Sequence, residues 1–301
     1  MTGRRLVATA IACVPLVGSA PMSAAPPEEL SALLERADRY VLNYENRFAI
    51  IISDEHSVQV VRSGGLYSLG NDSPSISRTL DSEMLHLWIP EQHAWLSTRN
   101  VLKVDGQLAI GSRHRLEQLL ASGAPVDVAS LRRLRAESTR FNLGSIRQDF
   151  DDQMLPLHFL ERGQQARFSF TAAADESIDH VVTHKVKFDE RTRPTIIQER
   201  GVDRPSRGLL WIADDGAVWR TQLDGESAGT GGSGIERLDS SVTVQYRQDA
   251  RLATLVPVRM RATYQAVSVG GDFIRSGERI ECEATYSNFR RFETPARIVP
   301  K

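Results

Sequence analysis

The stretch RIECEATYSNF, Arg279–Phe289, alternates apolar and polar side chains with a period of two. Ile280, Cys282, Ala284 and Tyr286 fall on one side, and Glu281, Glu283, Thr285 and Ser287 on the other. That is the pattern of a strand with one buried and one wet face. Pro257–Ala266 repeats it, with Val258, Met260, Ala262, Tyr264 and Ala266 inward and Arg259, Arg261, Thr263 and Gln265 outward. Val242, Val244 and Tyr246 begin a further alternating strand. Trp211-Ile212 and Val218-Trp219 flank Asp214-Asp215-Gly216, a hairpin turn. The last third of the chain, Gly208–Phe292, thus reads as a run of antiparallel hairpins.

Upstream of that run, Arg167–Ala172, His180–Glu190 and Thr195–Arg200 add strands, so an antiparallel sheet is expected over residues 166–292. Further upstream, Val58–Arg62, Thr79–Ile89 and Ala94–Lys103 read as strands, with Gly64–Ser75 as a loop and Asp105-Gly106 as a hairpin turn. Between the two strand groups lies a helical insertion, residues 113–160. It comprises Arg113–Ala121, Val126–Phe141 and Asp151–Leu160, the last shortened by Pro156.

The strongest helix signal comes first, from about Pro27 to Ile52. Pro27-Glu28-Glu29 supplies the proline and the acids that a helix N-terminus favours. Leu30, Leu33, Leu34, Ala37, Tyr40, Val41, Tyr44 and Phe48 follow at spacings of three and four, a broad apolar face rich in aromatic rings. Its polar face mixes both signs of charge rather than concentrating Lys and Arg, so packing on a sheet fits better than lying on a membrane. The expected fold class is α+β, a large curved antiparallel sheet covered by this amphipathic helix, with residues 27–301 as one unit.

Ahead of it, Arg4 and Arg5 precede an apolar run, Leu6–Val17, and then Gly18, Ser19 and Ala20. This is the make-up of a secretory signal peptide over residues 1–25, with more than one plausible cleavage position. The run is short for a permanent membrane span, so no transmembrane segment is expected in the mature chain. Cys13 lies too early for a lipobox, which argues against lipidation. Removing Arg4 and Arg5 leaves 35 of the 37 basic residues against 38 acidic ones, a net charge near −3. That balance gives no electrostatic footprint for nucleic acid. Cys282 is the other cysteine of the two, so no disulfide can form within the mature chain, and its inward position reads as a small buried hydrophobe.

Catalytic and metal signatures do not assemble. His180 and His184 are four apart in an expected strand, which places them roughly 13 Å apart on one face, without further ligands. Asp151-Asp152 and Asp214-Asp215-Gly216 do not continue into a calcium loop. No Gly-x-Ser-x-Gly elbow is present, and Gly232-Ser233-Gly234 lies in a glycine-rich loop. No glycine-rich turn joins a strand to a helix as a phosphate cradle would. Arginines 132, 133, 135, 140 and 147 cluster locally beside Glu137, Asp149, Asp151 and Asp152, as a solvated helix face does. No cofactor or metal is expected, and no catalytic motif is found, which leaves a hydrolase with a site assembled from distant residues as the third reading behind the two binding ones. What is left is apolar and aromatic surface between helix and sheet.

The elements Gly208-x-x-Trp211-Ile212-x-x-Asp215-Gly216-x-Val218-x-Arg220, Val242-x-Val244-x-Tyr246, Val256-Pro257-Val258-x-Met260-x-x-x-Tyr264 and Tyr286-Ser287-Asn288-Phe289 resemble the C-terminal hairpins of secreted bacterial proteins with the LolA/LolB-like fold. The resemblance implies an unclosed half-barrel with helices over its mouth, and in the carriers of that fold lipoprotein acyl chains lie between the two. It implies no catalytic residues, and Arg113–Leu160 has no counterpart in the small carriers. The expected function is an exported envelope protein binding a lipid-like ligand or a lipidated partner. The alternative is an envelope protein-interaction or sensor module. Tyr40, Tyr44 and Phe48 of the helix and Val258, Met260, Tyr264, Ala284 and Tyr286 of the sheet are the candidate lining. An open cavity between them would favour ligand binding, and a filled interface the interaction module.

Overall fold

The computed structural model describes residues 27–47, 50–64, 74–110, 116, 118, 120, 128–144, 152–199, 201–228, 237–270 and 273–292. Its helix α1, Pro27–Arg47, ends earlier than the apolar spacing suggests, and strand β1, Ile50–Gly64, follows at once. Ile50-Ile51-Ile52 explains the correction. Three β-branched side chains in a row favour strand over helix. Ile51 and Ile52, both fully buried, point into cores on opposite faces of the sheet.

Strands β2 (Ser75–Ile89), β3 (Ala94–Val104) and β4 (Gln107–Leu108) come next. The turn between β3 and β4 places Asp105 and Gly106 at positive φ, the hairpin geometry that Asp-Gly encodes. After the insertion follow β5 (Phe168–Ala172), β6 (Glu176–Ile178), β7 (Val181–Glu190), the small hairpin β8 (Ile197–Glu199) and β9 (Val202–Arg204), then β10 (Arg207–Ala213), β11 (Val218–Ala228), β12 (Arg237–Asp249), β13 (Thr254–Gly270) and β14 (Phe273–Arg291). Twelve strands make one antiparallel sheet in the order β4-β3-β2-β1-β14-β13-β12-β11-β10-β7-β5, with β6 beside β7. The sheet is open, its ends being β4 and β5. Its two halves meet where β1 pairs with β14, with Glu55 opposite Tyr286, Ser57 opposite Ala284 and Val61 opposite Ile280.

The sheet is strongly curled, and α1 measures by how much. Tyr44 meets the ring of Trp95 on β3 at 6.2 Å, while the backbone of Arg36 lies directly over Gly216, in the turn between β10 and β11. Residues 36 and 44 are only ~12 Å apart along a helix axis. From β3 to β11 are six strand spacings, ~29 Å in a flat sheet. One short helix touches both only because the sheet wraps around it. Gly216 allows the close approach: at φ 89° it has no Cβ, and one placed there would sit 2.4 Å from the carbonyl of Arg36.

The insertion covers both faces. Helix α2, Val128–Ser138, lies outside, where Val128 and Leu131 with Leu116 and Leu120 cover Ile52, Leu85, Leu87, Ile89 and Leu96. Double-sided burial is why β2 shows no clean alternation over Ser82–Ile89. The chain then rounds the sheet to its inner side. Arg78 donates to the carbonyl of Phe141 at 2.9 Å, and the Leu143 N–H donates to the Gln59 side chain at 2.8 Å. From Asp152 the chain runs along the inner face. The helix expected over Asp151–Leu160 is a single turn, Leu155–His158, with turns on either side, because Pro156 removes the backbone donor that a longer helix needs.

Candidate ligand site on the inner face

Alternation on β13 and β14 builds the wall as expected. Met260, Ala262, Tyr264, Ala266, Ile280, Cys282, Ala284 and Tyr286 are all buried, and Met260 faces Ala284 across the ladder. Val258 departs from the pattern. A bulge sets Gln245 opposite Arg259 and Tyr246 opposite Pro257, so Val258 has no cross-strand partner and is only half-buried against the core. On α1, Tyr44 is buried and Tyr40 partly so, their rings 5.8 Å apart. Phe48 lies outside the described residues. Cys282 is buried and takes part in no disulfide.

The structure thus gathers Tyr40, Tyr44, Met260, Tyr264, Ala284 and Tyr286 in one apolar core, and that core is filled. Met154, Leu157, Phe159 and Leu160 of the insertion lie fully buried between α1 and the sheet. The Tyr44 hydroxyl donates to the Met154 sulfur at 3.9 Å, and Phe159 stacks with Phe168 of β5 at 4.8 Å. Of the openings at the margin, one bounded by Ile197, Pro205, Leu223, Leu238 and Val242 has a free volume of about 30 Å³. Another, between Leu30, Leu33, Arg36, Val186, His184 and Asp214, has about 180 Å³. Pockets for small ligands run to roughly 300–1,000 Å³, so neither takes an acyl chain as it stands.

Beside the apolar wall, β1, β2 and β3 present polar groups that sequence reading missed. Arg99 of β3 makes a bidentate pair with Glu55 of β1, at 2.6 and 2.9 Å, with both side chains all but fully buried. Next to it, Ser97 donates to Asp152 at 3.0 Å, as does the Met154 N–H, and the His86 ring lies 3.3 Å from the Ser97 hydroxyl. The Gln153 amide donates to the Tyr286 hydroxyl at 2.6 Å, and the Tyr246 hydroxyl donates to the Gln153 carbonyl. Burial dominates the titration of this patch. It holds His86 neutral, its pKa lowered to about 3, and raises that of Asp152 against the opposing pull of the Met154 N–H, Arg135 and Ser97. Burial, and then the charge of Glu55, pushes the Tyr286 hydroxyl well above its ordinary range. The only signal available was that β1 is polar on both sides from Ser53 to Ser57, which names no inward face.

The chemistry of the patch is structural. A nucleophile relay needs the acid on the histidine and the histidine on the serine. Here Asp152 holds the hydroxyl of Ser97, not the ring of His86, and both Ser97 and His86 are shut away from solvent. Among the described residues no group of three or more His, Cys, Asp or Glu side chains is placed to hold a metal ion. His180 sits in a turn at φ 69° rather than in a strand, while His184 bridges Asp175 at 3.1 Å and Asp214 at 2.7 Å. No described helix is long and apolar enough to cross a membrane.

No protein-family model matches the chain, and no curated protein matches it. Solved structures resemble it at low identity. A LolA superfamily protein from Nitrosomonas europaea is 13% identical, with 90% of this chain and 97% of that one covered and a TM-score of 0.30. A DUF1329 family protein from Desulfovibrio piger is 10% identical over 87% and 92%, with a TM-score of 0.34. The Mycobacterium tuberculosis lipoprotein LppX is 14% identical over 87% and 99%, with a TM-score of 0.24. At these scores the likenesses carry no argument about function.

Proposed function

We propose that this is an exported binding protein of the cell envelope that holds an apolar, lipid-like ligand on the inner face of its sheet, and that the structure described is its closed form. One observation carries the reading. The apolar trough of an open, curled sheet is occupied by Asp152–Leu160, which contributes no strand to the sheet, so the ligand reading requires this segment to leave the trough. The wall behind it is lined by small side chains, Ala262, Ala266, Cys282 and Ala284, which leave depth for an occupant. An acyl chain that displaced Met154, Leu157 and Leu160 would bury comparable apolar surface, so the exchange costs little hydrophobic free energy. Export rests on the leader expected at residues 1–25, with residues 27–301 acting as one unit.

The test is native mass spectrometry and lipid extraction of protein purified from its own host, together with uptake of a fluorescent fatty acid. Copurifying lipid or saturable uptake is expected. Absence of both refutes the proposal. A second reading is favoured by the same filled interface: an envelope interaction module whose insertion is a permanent part of the core. Capture of a defined protein partner by a chain that takes up no lipid supports that alternative.

A further inference from the structure

We propose that the outer, wet face of the sheet carries a second binding site, separate from the trough. It is a groove over β1, β13 and β14 in which Arg261 holds the anionic group of an aromatic carboxylate whose ring lies on Val58 and Val60.

The groove has a volume of about 460 Å³, more than either opening at the margin of the inner face and within the roughly 300–1,000 Å³ of small-ligand pockets. The ladders build it row by row. Arg261 lies opposite Glu283, and Glu283 opposite Val58. In the next row Thr263 lies opposite Glu281, and Glu281 opposite Val60. The outward positions of a strand with one wet face are normally polar, as His56 and Arg62 of β1 are. Val58 and Val60 break that rule, and Val58 is left 38% exposed. The two valines stand ~7 Å apart along one strand and make a flat apolar strip. A rigid ring that covers such a strip buries apolar surface and, unlike a flexible chain, loses little internal freedom on binding.

The charged rim beside the strip is short of carboxylate. Glu283 accepts from Arg259 through one oxygen and from Arg261 through the other, and Glu281 serves Arg62 and Arg279 in the same way. Four guanidinium groups thus share two carboxylates, which leaves the rim net positive. Arg261 uses only its Nε, 3.1 Å from Glu283. Its two terminal nitrogens make no hydrogen bond among the described residues, and its side chain is 63% exposed. A guanidinium held through Nε and open along its far edge is set to receive a carboxylate through two parallel N–H bonds. Hydrogen bonds, that from Arg259 foremost, hold the Glu283 carboxyl below its ordinary range, so the anchor of Arg261 stays charged.

The test is isothermal titration of the full chain with 2-naphthoate and, separately, with the uncharged naphthalene-2-methanol. The proteins compared are wild type, Arg261→Gln and Val58→Ser, each checked for folding by circular dichroism. The carboxylate is expected to bind about fivefold more tightly than the alcohol, as one charge pair at an exposed site allows. Arg261→Gln is expected to abolish that preference and leave the alcohol unchanged, and Val58→Ser to weaken both probes severalfold. A preference that survives Arg261→Gln, equal binding of the two probes by wild type, or binding that Val58→Ser leaves untouched would overturn the site. So would binding of neither probe. None of these results bears on the trough, whose ligand reading stands or falls with lipid uptake.

Discussion

Acidification should weaken this protein through His86, by an amount the structure fixes. The ring is fully buried on the inner face of β2 beside Ser97, and burial holds its pKa near about 3. In the unfolded chain a histidine titrates near ~6.5. Between those values the unfolded state binds a proton that the folded state refuses, so this contribution to stability rises with pH and is lost as pH falls through ~6.5. Going from pH 7 to pH 5 then costs about 2 kcal/mol from this one group. Other groups titrate in the same range, so the comparison is with His86→Gln, which cannot take the proton. Urea unfolding followed by tryptophan fluorescence gives the stability of both proteins at pH 7, 6 and 5. The substitution itself carries a constant cost. What matters is that the difference between the two proteins shifts by about 2 kcal/mol in favour of the variant at pH 5. Curves that stay parallel within ~0.5 kcal/mol would refute the burial argument, because they would mean that water reaches the ring in the native state.

At the alkaline end the sign reverses at Glu45, whose carboxyl is pushed up to about 8 by burial and then by Glu161 and Asp38. A folded state that keeps a proton the unfolded chain gives up loses stability as pH rises from ~4.5 to about 8, so Glu45→Gln should flatten a melting-temperature profile from pH 6 to 9. An unchanged profile counts against the Glu45–Glu161 contact. Gly216→Ala should lower stability by at least ~2 kcal/mol in thermal melts, from left-handed strain and the collision with the α1 backbone. Wild-type stability would mean that α1 does not rest on that turn. Met154→Ala, at a fully buried position, should cost ~2–5 kcal/mol. It should also expose the buried thiol of Cys282, read as faster reaction with a disulfide reagent in a Cys13→Ser background. A thiol that stays unreactive would show that the inner face does not open there.

The parts of this fold that can be read in advance are those with one wet face. On β14, Ile280 to Tyr286 alternate because water lies on one side and protein on the other, and the structure buries that set. On β2 the same logic has nothing to act on, since Glu83 and Leu85 are as buried as Met84 and His86. Val258 was placed correctly within its strand and misjudged in its surroundings, because a bulge is a matter of pairing between two strands. The candidate lining was legible in the same measure. Met260, Tyr264, Ala284 and Tyr286 follow from alternation, and Tyr44 from helical spacing. Their occupant does not, because Asp152–Leu160 has the composition of any short amphipathic turn.

By itself, then, the sequence determined the hairpin run, the amphipathic helix ahead of it and most of the inward side chains of β13 and β14, since each depends on periodicities of a few residues. The tertiary structure alone decided that β1 closes on β14, that the sheet curls tightly enough for one helix to touch β3 and the β10–β11 turn, and that the insertion fills the trough. Those outcomes bring together residues such as Glu55 and Arg99, 44 positions apart, or Gln153 and Tyr286, 133 apart. No local pattern encodes such a meeting. It is set by which surfaces the whole chain can bury at once.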